Sequence, residues 1–286
     1  AYPYSSLQVL SFALTVVSTA LAIIACSLRM YSRSLTRSFG IDDWMICTAT
    51  LFTINQCWSS SLVIHYEYIG VHAADIPVHD EAKALLYSWL AVVFYTPILS
   101  LVKTSILGFL LRLGGKQRRG VRIAIYTLIT LNTLQIIAVL AVTIFQCTPV
   151  NLVWSTPSSA REGLRCINPG VLVLSVASWN ILTDILVVAL PYRIFFDIKT
   201  NKRMRNALIG VFMLGIVVTV FSIVRLYYMY RIFFTVSPDP TYSLGYILSA
   251  IESNLAIIAS SIPALWPLAR LWFPCMDSKL GINHHY

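Results

Sequence analysis

Residues 85–111 read LLYSWLAVVFYTPILSLVKTSILGFLL. The stretch exceeds the roughly 20 apolar residues that carry a helix across a bilayer. Its one charge is Lys103. In hydrocarbon a backbone must satisfy its own hydrogen bonds, which leaves helices and closed barrels as spanning structures. Barrel strands are short and alternate apolar with polar residues, and this run is long and almost continuously apolar. It therefore reads as a transmembrane helix. A charge within it is costly, roughly 2.5–3.5 kcal/mol on insertion scales, so Lys103 needs a partner.

Six further runs share the pattern: Leu7–Leu28, Trp44–Ile64, Ile123–Phe145, Val171–Tyr192, Ala207–Tyr230 and Leu244–Leu271. The chain has 286 residues, 57% hydrophobic and 12% charged, with a mean hydropathy of +0.74. Ordinary soluble domains carry about 25% charged residues, so an ordinary soluble enzyme is excluded. The expected fold is all-α. A single domain over residues 1–286 forms an integral, multi-pass bundle of seven transmembrane helices, in the plasma membrane or an endomembrane. The first run has no basic residue before it and is too long for a signal-peptide core, so it reads as a mature helix. The start at Ala1 rather than Met suggests that residues preceded it.

The net charge of +9 could suggest a nucleic-acid partner, but its distribution argues for topology instead. Arg29, Arg33 and Arg37 follow the first run. Arg112, Lys116, Arg118, Arg119 and Arg122 follow the third. Arg193, Lys199, Lys202, Arg203 and Arg205 follow the fifth, and Arg270 and Lys279 lie at the chain's end. If the runs alternate, all of these share one side. The other side has Lys83, Arg161, Arg165 and Arg231. Cytoplasmic loops are the ones enriched in Lys and Arg. The N-terminus is thus expected outside and the C-terminus in the cytoplasm, with anionic membrane lipids as the partners of the basic loops.

Cys147 and Cys166 bracket the loop between the fourth and fifth runs, on the oxidising side of this topology, and are expected to form a disulfide. Closing that loop would stabilise by roughly 3 kcal/mol in the chain-entropy model. Cys26, Cys47, Cys57 and Cys275 read as packing residues or free thiols. His65, His72 and His79 recur in the loop after the second run, but Pro77 breaks any helix that could converge them. No metal site and no cofactor is expected.

Three more ionisable residues lie inside apolar runs: Asp184, Arg225 and Glu252. Chain direction places Lys103 and Asp184 past the middle toward the inner side, and Arg225 and Glu252 in the outer third. Depth suggests the pairs Lys103–Asp184 and Arg225–Glu252, with one connected network as the alternative. Asn180, Ser100, Ser222 and Ser249 lie one turn away on the same faces. Asn55, Gln56, Ser59–Ser61, Asn132 and Gln135 add polar positions in the second and fourth runs. The four charges are candidates for an intramembrane ligand site, with Asp184 and Glu252 as the catalytic candidates. They equally suit buried ion pairs that lock packing. Tyr227, Tyr228, Tyr230, Tyr242 and Tyr246 read as an interfacial aromatic belt rather than a ligand vestibule.

Retinal needs a lysine for its Schiff base, and the seventh run has none. Hormone-receptor signatures are also missing: Leu111-Arg112-Leu113 stands where an acidic-Arg-aromatic triplet would be, and Ile262-Pro263-Ala264-Leu265-Trp266 replaces Asn-Pro-x-x-Tyr. Short strings along the chain carry a different likeness. They are Arg37-Ser-Phe-Gly-Ile-Asp42-Asp43-Trp44, Lys103-Thr-Ser-Ile-Leu-Gly-Phe-Leu-Leu-Arg112, Cys147-Thr-Pro-Val with Trp154 and Cys166, Thr183-Asp184 with Ala189-Leu190-Pro191, Gly215 with Arg225, and Ile251-Glu252-Ser-Asn254 with Ser261-Ile-Pro263. Jointly and in this order they resemble the fungal rhodopsin-domain membrane proteins, which include the satratoxin-cluster type and receptor-like proteins of plant-pathogenic fungi. Asp42 and Asp43 would cap the second helix.

The resemblance implies a rhodopsin-like shape without retinal, and for many members a place in secondary-metabolite gene clusters. Some members carry a cysteine-rich extracellular domain before the first helix. Nothing like it stands in this sequence, which favours the metabolite-cluster reading. The expected function is a receptor-like or accessory membrane protein that binds a small lipophilic molecule. Its basic inner loops would face a cytoplasmic partner. The alternative is an intramembrane cyclase or isomerase using a buried Glu or Asp as general acid.

Overall fold

The computed structural model describes residues 5–72, 75–77, 80–113, 119–155, 166–197, 202–235 and 245–272. His79, Lys116, Arg118, Arg161, Arg165, Lys199, Tyr242, Cys275 and Lys279 lie outside these, as do the side chains of Arg193, Lys202, Arg203, Arg205, Tyr246 and Arg270. Eight helices are present among the described residues. They are α1 (Ser6–Leu35), α2 (Ile41–Tyr66), α3 (Glu81–Leu113), α4 (Arg119–Ile144), α5 (Leu152–Ser155), α6 (Pro169–Asp197), α7 (Lys202–Phe234) and α8 (Gly245–Trp272). The seven apolar runs fall on the seven long helices, while α5 is a single turn inside the Cys147–Cys166 loop.

Six of these helices are long and apolar enough to cross a membrane: α1, α3, α4, α6, α7 and α8. α2 is not among them, since Asp42 and Asp43 open it and Asn55, Gln56 and Ser59–Ser61 dilute its middle. The helix surfaces are inverted relative to a water-soluble bundle. α1 buries Gln8, Ser11, Thr15, Thr19, Ala22, Cys26, Arg29 and Ser32 and exposes Val9, Leu10, Phe12, Val16, Val17, Leu21 and Ile24. Small and polar residues at three- and four-residue spacing let helices approach closely inside lipid, while apolar side chains face the hydrocarbon. α4 follows the same rule, burying Asn132, Gln135 and Thr143 and exposing Ile123, Leu134 and Ile137.

α3 is the hub, touching α2, α4, α5, α6 and α8. α1 packs on α2 and α8, and α7 on α6 and α8. The apolar core lies where α1, α2, α3 and α8 meet, around Ala22, Ile46, Ile98, Leu99 and Ile257. At one end of the bundle a disulfide links Cys147 to Cys166, and Gln146 and Ile167 exchange hydrogen bonds across it. Trp89 donates from Nε1 to the Thr143 carbonyl at 3.0 Å and its ring meets Trp154 of α5. The first helix is tied to this end by Ser5, which caps α1 and donates to the Gly70 carbonyl. Gly70 has φ +90° and packs directly on the Leu7–Gln8 backbone, a combination only glycine allows.

Candidate functional site

The four charges of the apolar runs come together. Lys103 Nζ lies 2.9 Å from Asp184 Oδ1 and donates to the Asn180 carbonyl at 3.0 Å and to Thr183 Oγ1 at 2.8 Å. An ammonium has three donors, and each finds an acceptor. Arg225 Nε lies 2.6 Å from Glu252 Oε2, and the guanidinium sits 4.9 Å over the Tyr95 ring. The Tyr95 hydroxyl donates to the same Oε2 at 2.6 Å. Ser222 joins the pairs: it donates to Glu252 Oε1, and its Oγ lies 3.3 Å from Asp184 Oδ2. Lys103 thus pairs with Asp184 and Arg225 with Glu252, and Ser222 joins the two pairs into one network. All four charged residues are at least nine-tenths buried.

Neighbouring amides extend the network. Gln135 Nε2 donates to Asn180 Oδ1 at 2.8 Å. Asn132 donates to the Ser100 carbonyl and Thr104 Oγ1. Gln56 accepts from Ser253, and Asn254 donates to Ser18 and Thr19 on α1. Asn55 does not take part: it is exposed and donates back to the Leu51 carbonyl. Tyr227, Tyr228 and Tyr230 are exposed on the perimeter. Among the described residues no group of three or more His, Cys, Asp or Glu is placed to hold a metal.

A second ionic cluster was not foreseen. Arg29 and Arg33 are not loop cations: α1 continues to Leu35, and both belong to its last turns. Arg29 is only 2% exposed. Its Nε donates to Asp43 Oδ1 at 2.8 Å, its Nη2 to Asp42 Oδ2 at 3.0 Å and its Nη1 to the Ser260 carbonyl at 2.7 Å. Arg33 pairs more loosely with the same aspartates. Arg112 reaches from the end of α3 to Asp42 Oδ1 at 2.6 Å and to the Ser38 carbonyl. Ser32 donates to Ala264 O and Ser105 to Asp42 O. The α8 acceptors flank Pro263, where a proline interrupts the backbone ladder. The capping role expected at the start of α2 falls to Asp43, whose Oδ2 accepts from Gly40 N at 3.0 Å. Asp42 is an ion-pair partner instead.

Two cavities alternate with the two clusters. The larger, about 280 Å³, lies toward the disulfide end and is lined by Gln56, Trp89, Tyr95, Thr143, Gln146, Val176, Arg225 and Met229, among others. Tyr95 and Arg225 stand between it and Glu252. Neither Asp184 nor Glu252 lines it. The smaller, about 60 Å³, lies between Lys103 and Asp184 on one side and Arg29 and Ser260 on the other.

Apolar perimeters, small and polar helix contacts and charges kept in the interior define a multi-pass helical membrane protein. The chain belongs to the fungal rhodopsin domain family, whose profile matches residues 28–271. It is 28% identical over 205 residues to a SAT4 family membrane protein of Emericella nidulans, covering 71% of this chain and 51% of that protein. It is 27% identical over 203 residues to the polyenoic acids biosynthesis gene cluster protein Ba17b of Metarhizium anisopliae, covering 70% and 54%. It is 24% identical over 267 residues to the wortmanamides biosynthesis cluster protein C of Talaromyces wortmannii, covering 91% and 70%. The chain thus spans about half the length of the first two. No solved structure matches it.

Proposed function

We propose that this protein binds a small lipophilic molecule in the larger cavity, in a receptor-like or accessory role in secondary metabolism. The observation that carries this reading is the cavity itself. Its volume, about 280 Å³, falls near the lower end of the range for small-molecule pockets, roughly 300–1,000 Å³. Its walls are mostly apolar, and among its polar lining residues Tyr95 and Arg225, beside Glu252, supply orientation. Two relatives named for biosynthesis clusters support the metabolic setting. α2 would span with the other six long helices, its polar face turned inward, and the basic end of the bundle would lie in the cytoplasm. That end would contact anionic lipids and a cytoplasmic partner.

The enzyme alternative needs a carboxylic acid at the substrate. Glu252 does not line the cavity, and Glu67, the carboxyl that does, already accepts from Ser88, which supports binding over general-acid chemistry at Asp184 or Glu252. The two readings separate in one experiment. Native mass spectrometry of protein purified from fungal membranes should show a bound small lipophile. Val176→Trp, which fills the cavity, should lose it. An empty wild-type protein, or a lipophile retained by Val176→Trp, contradicts the binding reading. A bound species converted to a second mass over time establishes the enzyme instead.

A further inference from the structure

We infer that the larger cavity selects a neutral lipophilic molecule with a hydrogen-bond-accepting oxygen at its buried end, of the ketone, ester or amide class, held by the terminal N–H groups of Arg225. This inference rests on the ligand-binding reading and names its ligand class.

Arg225 is 4% exposed and lines the cavity. Its contact with Glu252 is a close ion pair at Nε, yet that N–H is not aligned as a hydrogen bond. Its other contact is the face of Tyr95. Nε is its buried donor without a hydrogen-bond partner, and Nη1 and Nη2 make no hydrogen bond to a described residue. By contrast Lys103 meets a carboxylate, a carbonyl and a hydroxyl, and each nitrogen of Arg29 donates to a carboxylate or a carbonyl. A buried guanidinium donor left without an acceptor is costly. The Thr143 hydroxyl, also in the cavity lining, is a second buried polar atom with no partner. Both groups ask for a polar atom from within the cavity.

Charge count then decides which polar atom. Lys103 and Arg225 already balance Asp184 and Glu252, and the cavity lining itself adds a further carboxylate, Glu67. A carboxylate on Nη1 and Nη2 would add another negative charge to those of Glu252 and Glu67, in a place where charges are poorly screened. It would also have to leave water as an ion. A carbonyl oxygen accepts the same N–H groups without either penalty. The walls formed by Trp89, Val92, Leu172, Val176 and Met229 suit an apolar body behind it.

The test uses three probes sharing one chain length: methyl nonyl ketone, undecane and undecanoic acid. They are titrated calorimetrically at neutral pH into the purified protein in lipid nanodiscs, against empty nanodiscs. A hydrogen bond from a charged donor is worth enough for roughly tenfold in affinity or more. The ketone should bind at least about tenfold more tightly than either undecane or the acid. Acid binding as tight as the ketone's, or ketone binding no tighter than undecane's, overturns the inference. Arg225→Leu with Glu252→Gln removes the donors while leaving no lone buried charge, and should erase the ketone's advantage over undecane. A retained advantage also overturns it. Val176→Trp should abolish binding of all three probes. If it leaves them unchanged, the cavity reading itself fails, which is a different failure from loss of selectivity.

Discussion

The two ionic clusters contain the same chemistry and make opposite use of it. Toward the disulfide end, Arg225 has one carboxylate, one ring and a cavity. At the other end, Arg29 has two carboxylates and a backbone carbonyl, and is tied into α1, α2 and α8 at once. A guanidinium whose donors are filled by the protein is a fastener. One that borders a large cavity with a buried N–H still unpartnered is a fastener with binding capacity left over. Both border a cavity; the size of that cavity and the partners each guanidinium already has, not the identity of the residue, separate the two.

Four substitutions would break or sharpen that contrast. Arg29→Ala should be the most damaging, because it removes the one fully buried cation from Asp42 and Asp43 and leaves them to the half-exposed Arg112 and the looser Arg33. Breaking buried pairs typically costs about 3–5 kcal/mol, and the loss here should fall at the upper end, read as the melting midpoint of detergent-solubilised protein. Glu252→Gln should cost somewhat less, about 3 kcal/mol, since Tyr95 and Ser222 can still hydrogen-bond the amide. Pairing it with Arg225→Leu should recover most of that loss. Gly40→Ala should be milder, about 1 kcal/mol. Any side chain there meets both the Arg112 guanidinium and the Asp42 carboxylate, so both ends of that ion pair must shift, while Arg29 keeps its bond to Asp43. The mildest is Lys83→Ala. Its partner is Asp80, 3.0 Å away on the surface. The hydrogen bond from Lys83 holds the Asp80 carboxyl below its usual range, but the pair is exposed and solvent-screened. No measurable change in the melting midpoint is expected.

Much of the fold was legible because lipid is an exacting solvent. Seven apolar runs marked the seven long helices, and the bracketing of one loop by Cys147 and Cys166 marked the disulfide. The interior pairs were legible for the same reason: a charge such as Lys103 or Glu252 stands out where nearly every neighbour is apolar. The second cluster lacked that contrast. Arg29 and Arg33 follow a run whose apolarity stops at Leu28, and Asp42 reads as a capping residue. Their pairing needs α1 to continue past that point and fold back on α2 across a tight turn. A signal was available: the polar stripe Thr15, Thr19, Ala22, Cys26 continues in register to Arg29 and Ser32, which places Arg29 on the buried face. The bridging role of Ser222, and the cavity beneath the disulfide, depend on how α3, α7 and α8 meet. No single run states that.

The most direct measurement is native mass spectrometry of the Arg225→Leu/Glu252→Gln protein purified from fungal membranes beside the wild type, with folding checked by melting. If the cluster below the cavity serves a ligand, the variant should remain a folded bundle and lose the co-purifying lipophile that the wild type carries. A variant that fails to fold, or one that folds and keeps the lipophile, would contradict that account.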